Sequence, residues 1–214
     1  GLHLRGASRT DSGVHASGQV ACFYSTRPLD TTILQRATNS LLPDSVRVLE
    51  AKMVPPDFNP FFHVVSKTYH YDVHTEPILD PLFRYNRMHV PFALDRTRME
   101  NAAEMMEGTH NFVHFSSNKK ANVGKADKLV RSVDSIGVEE IERGLRFKVK
   151  GKGFLYHQVR HMVGALIAVG SHRLETEYIL ELLQQDKDNM LYSDHQIVPK
   201  WKMCDANGLC LEDV

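Results

Sequence analysis

A chain of 214 residues, 42% hydrophobic and 24% charged, has enough apolar material for a real core, which excludes a disordered tail as its default state. Nowhere does it hold the run of about 18 apolar residues that a membrane-spanning helix requires. Equal numbers of Lys+Arg and Asp+Glu, 26 each, give a formal net charge of zero and exclude a protein that coats nucleic acid by charge alone.

In chain order, Gly18 to Tyr24 reads as a strand, and Leu29 to Leu42 as an amphipathic helix that Pro43 ends. Val46 to Val54 reads as a further strand. Pro55, Pro56 and Pro60 mark an irregular connection to Lys67-Thr68-Tyr69-His70-Tyr71-Asp72-Val73, whose β-branched and aromatic content predicts a strand in an antiparallel sheet. Asp95 is a fair N-cap for a helix to Glu107, stopped by Gly108. Ser116 to Lys128 is polar, basic and without periodicity, the signature of a loop. Leu129–Glu139 and Leu145–Lys150 then pair around a Glu142-Arg143-Gly144 turn. Phe154 to Val169 predicts the clearest helix, Glu175 to Gln184 a second, and Gly208 to Val214 a closing strand.

The order predicts an α+β fold, an antiparallel sheet flanked by helices. Residues 1–90 read as an N-terminal part and 91–214 as a C-terminal α/β part with the basic loop and the Arg160 helix. Together they are expected to form one catalytic domain around a central cleft.

Charge is unevenly spread. Between Phe115 and Arg160 eleven Lys or Arg face five Asp or Glu, whereas from Ser171 onward nine acidic residues outweigh four basic ones. A basic face of this kind gives a phosphate backbone somewhere to lie, with Lys119, Lys120 and Lys152 as candidate RNA contacts. Cys22, Cys204 and Cys210 are odd in number and lack zinc-site spacing, so an intracellular, reducing compartment is expected and structural disulfides are not.

The densest motif is Arg9-Thr10-Asp11-Ser12-Gly13-Val14-His15, three ionisable groups around a glycine suited to a tight turn with positive φ. Asp11 alone would be a helix cap, and Ser8 to Asp11 matches a capping box. In Gly153-Phe154-Leu155-Tyr156-His157-Gln158-Val159-Arg160-His161, however, Arg160 sits within an apolar helix and requires a carboxylate partner. If Asp11 is that partner, bidentate hydrogen bonding would hold it ionised, as a nucleophile must be. His157 and His161 lack the adjacent glutamate of a metalloprotease helix and any third ligand, so packing or RNA contact is expected of them rather than metal binding. Tyr69, Tyr71 and Lys67 fall on one strand face, a surface able to stack an unpaired base.

These segments in this order resemble the TruA family of tRNA pseudouridine synthases. The likeness runs through Gly6 to Val20, Asn39 to Pro43, the Tyr69-His70-Tyr71 strand, Gly153 to Gly164 and Gly208 to Leu211, nearly the whole chain. It implies that Asp11 is the nucleophile and Arg9 the arginine associated with base flipping. Tyr69 would then be the ring that stacks on the target uracil, Arg160 the partner of the aspartate, and Leu209 a hydrophobic wall.

The resemblance further implies the pseudouridine synthase fold, a homodimer acting on the tRNA anticodon stem-loop, and no cofactor or metal. Only five residues precede Gly6, so part of the family's N-terminal strand and helix is expected to be missing. The alternative is then a catalytically impaired RNA-binding or tRNA-folding protein. Phe61 stands where the family often has an arginine, which moves an expected RNA contact to Lys67.

Overall fold

The structure, a computed structural model, describes residues 3–117, 129–184 and 199–214. In chain order the elements are β1 (Arg5–Gly6), β2 (His15–Ala16), β3 (Ala21–Cys22), α1 (Thr31–Leu41), β4 (Lys67–His74), β5 (Met88–His89), α2 (Arg96–Met106) and β6 (Gly108–Asn111). They continue with β7 (Val130–Ile141), β8 (Gly144–Gly151), α3 (Gln158–Gly170), α4 (Thr176–Gln184) and β9 (Leu209–Asp213). The chain forms two compact units, residues 1–8 with 20–64 and residues 9–19 with 65–214. β4 and the Asp11 loop lie in the larger unit with the C-terminal elements.

In the smaller unit β1 pairs antiparallel with β3. Helix α1 starts where the Asp30 carboxylate accepts the orphan N–H groups of Thr32 and Ile33, and it ends before Pro43 as expected. The strand expected over Val46 to Val54 does not form. Side-chain amides on α1 take its backbone groups instead: Asn39 exchanges two hydrogen bonds with Val48, at 2.7 and 2.9 Å, and Gln35 donates to the carbonyls of Val48 and Leu49. The strand expected over Gly18 to Tyr24 shrinks to the two residues of β3.

Strict alternation makes β4 the centre of the larger unit. Its sheet runs in the order β2-β9-β4-β8-β7-β6, with β5 beside the end of β4. On one face Tyr69 lies across from Val149 and Leu211, and Tyr71 across from Phe147 and Leu209; all are buried. On the other face the partners are polar, His70 opposite Lys148 and Asp72 opposite Arg146. The sheet is mixed rather than purely antiparallel, because β2 joins β9, and β5 joins β4, in parallel.

The helices cover the apolar face. Helix α2 buries Met99, Ala102, Ala103 and Met106, and α3 buries nearly every residue it has, which makes it the interior helix of the unit. Its expected start at Phe154 moves to Gln158. His157 takes a left-handed conformation, φ +64°, so Phe154 to His157 form a turn ahead of the helix. The hairpin of β7 and β8 and the helices α2 and α4 follow the expected segments closely. Among the described residues no helix is long and apolar enough to cross a membrane. Residues 118–128, most of the expected basic loop, lie outside the described residues, and so do Lys119 and Lys120.

The polar face carries an ion pair whose carboxylate is nearly buried. Arg146 Nε and an Arg146 terminal nitrogen donate to the two carboxylate oxygens of Asp72, each at 2.8 Å, and the Asp72 side chain is only 10% exposed. Arg146→Met leaves that carboxylate buried without a cation and is expected to cost about 2–3 kcal/mol of stability. Urea denaturation checks this, and the double replacement Asp72→Leu with Arg146→Met is expected to recover most of the loss.

Candidate active site

Asp11 sits in a loop, not at a helix start, so the capping reading of Ser8 to Asp11 does not hold: no helix follows it. Gly13, at φ +83°, makes the tight turn expected of it, and the Val14 N–H donates to the Asp11 carbonyl at 3.0 Å. The chain then enters β2, where His15 and Ala16 lie beside Cys210 and Leu211. Ser17 N–H also donates to the Leu211 carbonyl. The loop is thus stitched to β9, and β9 lies against β4.

This arrangement collects residues that are far apart in sequence. Arg9, Thr10, Asp11 and Val14 from the loop, Tyr69 from β4, Leu209 from β9, and Phe154, Leu155 and His157 to Arg160 around the start of α3 line one pocket. Tyr69 is 7% exposed and meets Phe154 edge to face, ring centres 5.5 Å apart. The pocket therefore has aromatic and aliphatic walls, with one carboxylate and two arginines at its polar end.

Arg160 reaches Asp11, but not in the expected bidentate way. One terminal nitrogen lies 3.9 Å from Asp11 Oδ2. The guanidinium is committed elsewhere, since its Nε donates to the Cys204 carbonyl at 2.8 Å while the Cys204 N–H donates to the Arg160 carbonyl. Gly164 permits that approach: a side-chain carbon there would lie 2.4 Å from the Lys202 carbonyl oxygen. Burial pushes the Cys204 thiol up to about 12, so the thiol stays protonated beside Arg160.

The nearer partner of Asp11 is His157, whose Nε2 lies 3.1 Å from Oδ2. Sequence reasoning expects only packing or an RNA contact of His157. A signal for more was present, an ionisable ring three residues before Arg160, but the turn that aims it at the loop was not legible. Burial holds the ring below the ordinary histidine range, opposed by the Asp11 charge and aided by Arg160. Among the described residues no group of three or more His, Cys, Asp or Glu is placed to hold a metal ion.

The remaining candidates lie outside the pocket lining. Lys67 begins β4 opposite Gly151, half-buried, and desolvation lowers its ammonium pKa. Lys152 is exposed just after β8.

The pocket thus sets a carboxylate beside a buried aromatic ring and two arginines, on a mixed sheet backed by helices. The sequence model of the family described as tRNA pseudouridine synthase matches residues 102–214, and the chain belongs to that family of isomerases. Relatives named tRNA pseudouridine synthase A include the protein of Methylacidiphilum infernorum, 42% identical over 87% of this chain and 72% of its own length. Those of Bacillus pumilus (40% identical, 83% of this chain, 70% of its own) and Streptococcus pneumoniae (36%, 89% and 75%) are similar.

The His157 environment carries a pH consequence. Because its folded pKa is depressed, the unfolded chain takes up a proton first as pH falls through about 6.5. The contribution is full above that value and is lost as pH falls through the folded pKa. The urea midpoint of the wild type is expected to drop more between pH 8 and pH 5, a range chosen to span roughly the histidine titration, than that of His157→Asn.

Proposed function

We propose that this chain isomerises uridine to pseudouridine in the anticodon stem-loop of tRNA, as a homodimer, with Asp11 as the nucleophile. The observation that carries the reading is the meeting of Asp11, Arg9, Tyr69, Arg160 and Leu209 around one pocket, from four separate stretches of chain. The printed names of the relatives supply the RNA class.

The chemistry suits those residue types. The N1–C1′ glycosidic bond breaks, the uracil turns, and a C5–C1′ bond forms; the proton leaving C5 is balanced by one gained at N1. No electrons are gained or lost overall and no water is consumed. Asp11 supplies an electron pair while the bond to the base is broken. Tyr69 and Leu209 enclose the detached ring so that it can turn without escaping. The target must first leave its stack, a cost of a few kcal/mol that pocket contacts offset, and Arg9 beside Asp11 is suited to the space that the base vacates. Arg160 holds positive charge close to the carboxylate throughout.

Asp11→Asn is expected to lower pseudouridine formation by roughly a thousandfold or more, read as tritium release from tRNA carrying C5-tritiated uridine. Unchanged release would end the nucleophile assignment. Arg160→Leu is expected to cut turnover by about a hundredfold with a smaller effect on the melting temperature. A wild-type chain that binds tRNA yet releases no tritium would favour the RNA-binding alternative.

A further inference from the structure

Asp11 is held by more than a single neighbour. Its two ionic contacts, His157 Nε2 at 3.1 Å and Arg160 at 3.9 Å, both fall on Oδ2, and no described residue takes Oδ1. Behind His157 a file of hydrogen bonds continues. His157 Nδ1 lies 2.9 Å from Ser117 Oγ, and Ser117 Oγ lies 3.0 Å from His161 Nε2.

A proton on the Asp11-facing nitrogen gives a consistent order of donors and acceptors, with Met203 Sδ a weaker third neighbour of the Ser117 hydroxyl at 3.7 Å. A carboxylate oxygen only accepts, so the proton at that contact is on His157 Nε2. In the neutral ring Nδ1 must then accept, and the Ser117 hydroxyl is its donor. The hydroxyl oxygen in turn accepts from His161 Nε2–H. The file reads His161 Nε2–H to Ser117 Oγ–H to His157 Nδ1, which leaves the His157 proton on Nε2, the nitrogen 3.1 Å from Asp11 Oδ2.

The backbone around His157 is built to keep this order. A left-handed φ of +64° is uncommon for a residue with a side chain and persists only where its surroundings enforce it. Here the turn is fixed by Ser117 N–H and Ser116 Oγ–H, both donating to the Tyr156 carbonyl at 3.2 Å, and by the Gln158 side chain accepting from the Leu155 N–H at 2.8 Å. The Tyr156 ring stacks on the imidazole, centres 3.7 Å apart. The charged groups facing the ring are Asp11 from the loop and Arg160 from α3, and burial opposes a second proton on it.

We propose that His157 is a positioning residue for Asp11: held as the neutral Nε2–H tautomer by Ser117 and His161, it fixes one carboxylate oxygen and leaves the other, Oδ1, to face the substrate. The proposal rests on the reading of Asp11 as the nucleophile. It separates the work of the two partners, Arg160 supplying charge and His157 supplying direction. A carboxylate free to rotate presents Oδ1 only part of the time, so loss of the imidazole lowers turnover without weakening tRNA binding.

Ser117 gives the cleanest test because its side chain does not itself line the pocket and reaches Asp11 only through His157. Steady-state tritium release from tRNA is compared for the wild type, Ser117→Ala, Ser117→Thr, His157→Ala and His157→Gln, with melting temperatures recorded alongside. His157→Ala is expected to lower kcat by about tenfold to a hundredfold at unchanged KM, and Ser117→Ala by a few-fold to about tenfold, as for other residues that orient a catalytic group through a second one. Ser117→Thr keeps the hydroxyl and is expected to stay near wild type. His157→Gln, which can still donate to Oδ2, is expected to recover part of the loss. Normal kcat in both alanine variants, or a loss that tracks the melting temperature with threonine no better than alanine at 117, overturns the proposal.

Nitrogen-15 NMR of the His157 ring reads the same assignment without catalysis. The expected result is a protonated Nε2 and an unprotonated Nδ1 at neutral pH, both shifting in Asp11→Asn. A protonated Nδ1, or a ring indifferent to Asp11→Asn, overturns it. A wild type that releases no tritium would count against the proposed function alone, because the NMR result stands or falls independently.

Discussion

Burial of α3 is the constraint on which the rest of the larger unit depends. Its sequence is apolar nearly all round, so it has nowhere to go but between the sheet and the neighbouring helices. Once it is there, its first turn has to emerge at the edge of the core, and the two polar groups at that end, His157 and Arg160, are carried to the mouth of the pocket. Arg160 cannot stay there without compensation, and it finds the Cys204 carbonyl on one side and Asp11 on the other. The site is therefore a boundary phenomenon, the place where an interior helix runs out of interior.

The sheet supplies the second half of the arrangement. Because β4 alternates strictly, its aromatic face must meet the helices, and Tyr69 lands beside Phe154 as part of the same packing that buries Tyr71 and Val73. Because β9 pairs with β4 on one side and with β2 on the other, the glycine turn carrying Asp11 is tied to the strand that carries Leu209. Strand pairing, not any contact local to the motif, brings the carboxylate to the aromatic wall. The opposite face of the same strands is polar, with the Asp72–Arg146 and Lys148–Glu212 pairs closing its charges among themselves.

Two expectations failed for one reason. Val46 to Val54 has the composition of a strand, and Phe154 to His157 that of a first helical turn, but composition does not say which hydrogen-bond partners are within reach. The amide side chains of α1 claimed the first segment's backbone groups. In the second segment, Ser116, Ser117 and Gln158 held the chain in a turn ending in a left-handed residue. In both places side-chain groups, joined in the second by the Ser117 backbone N–H, took hydrogen bonds that regular structure would have used.

The sequence by itself determined the class of fold, the glycine turn at Gly13, the interior helix and, through the order of its motifs, the family. These are carried by periodicity and by residue types whose physics is local. Only the tertiary structure decided how the carboxylate is held. The spacing of Arg160 in an apolar helix demanded a partner and Asp11 was the natural choice, yet the guanidinium's geometry was set by the Cys204 carbonyl and the nearest group to Asp11 became His157. Which of two basic side chains reaches an oxygen first depends on a backbone turn and on a serine some forty residues away, and no local pattern of residues encodes that distance.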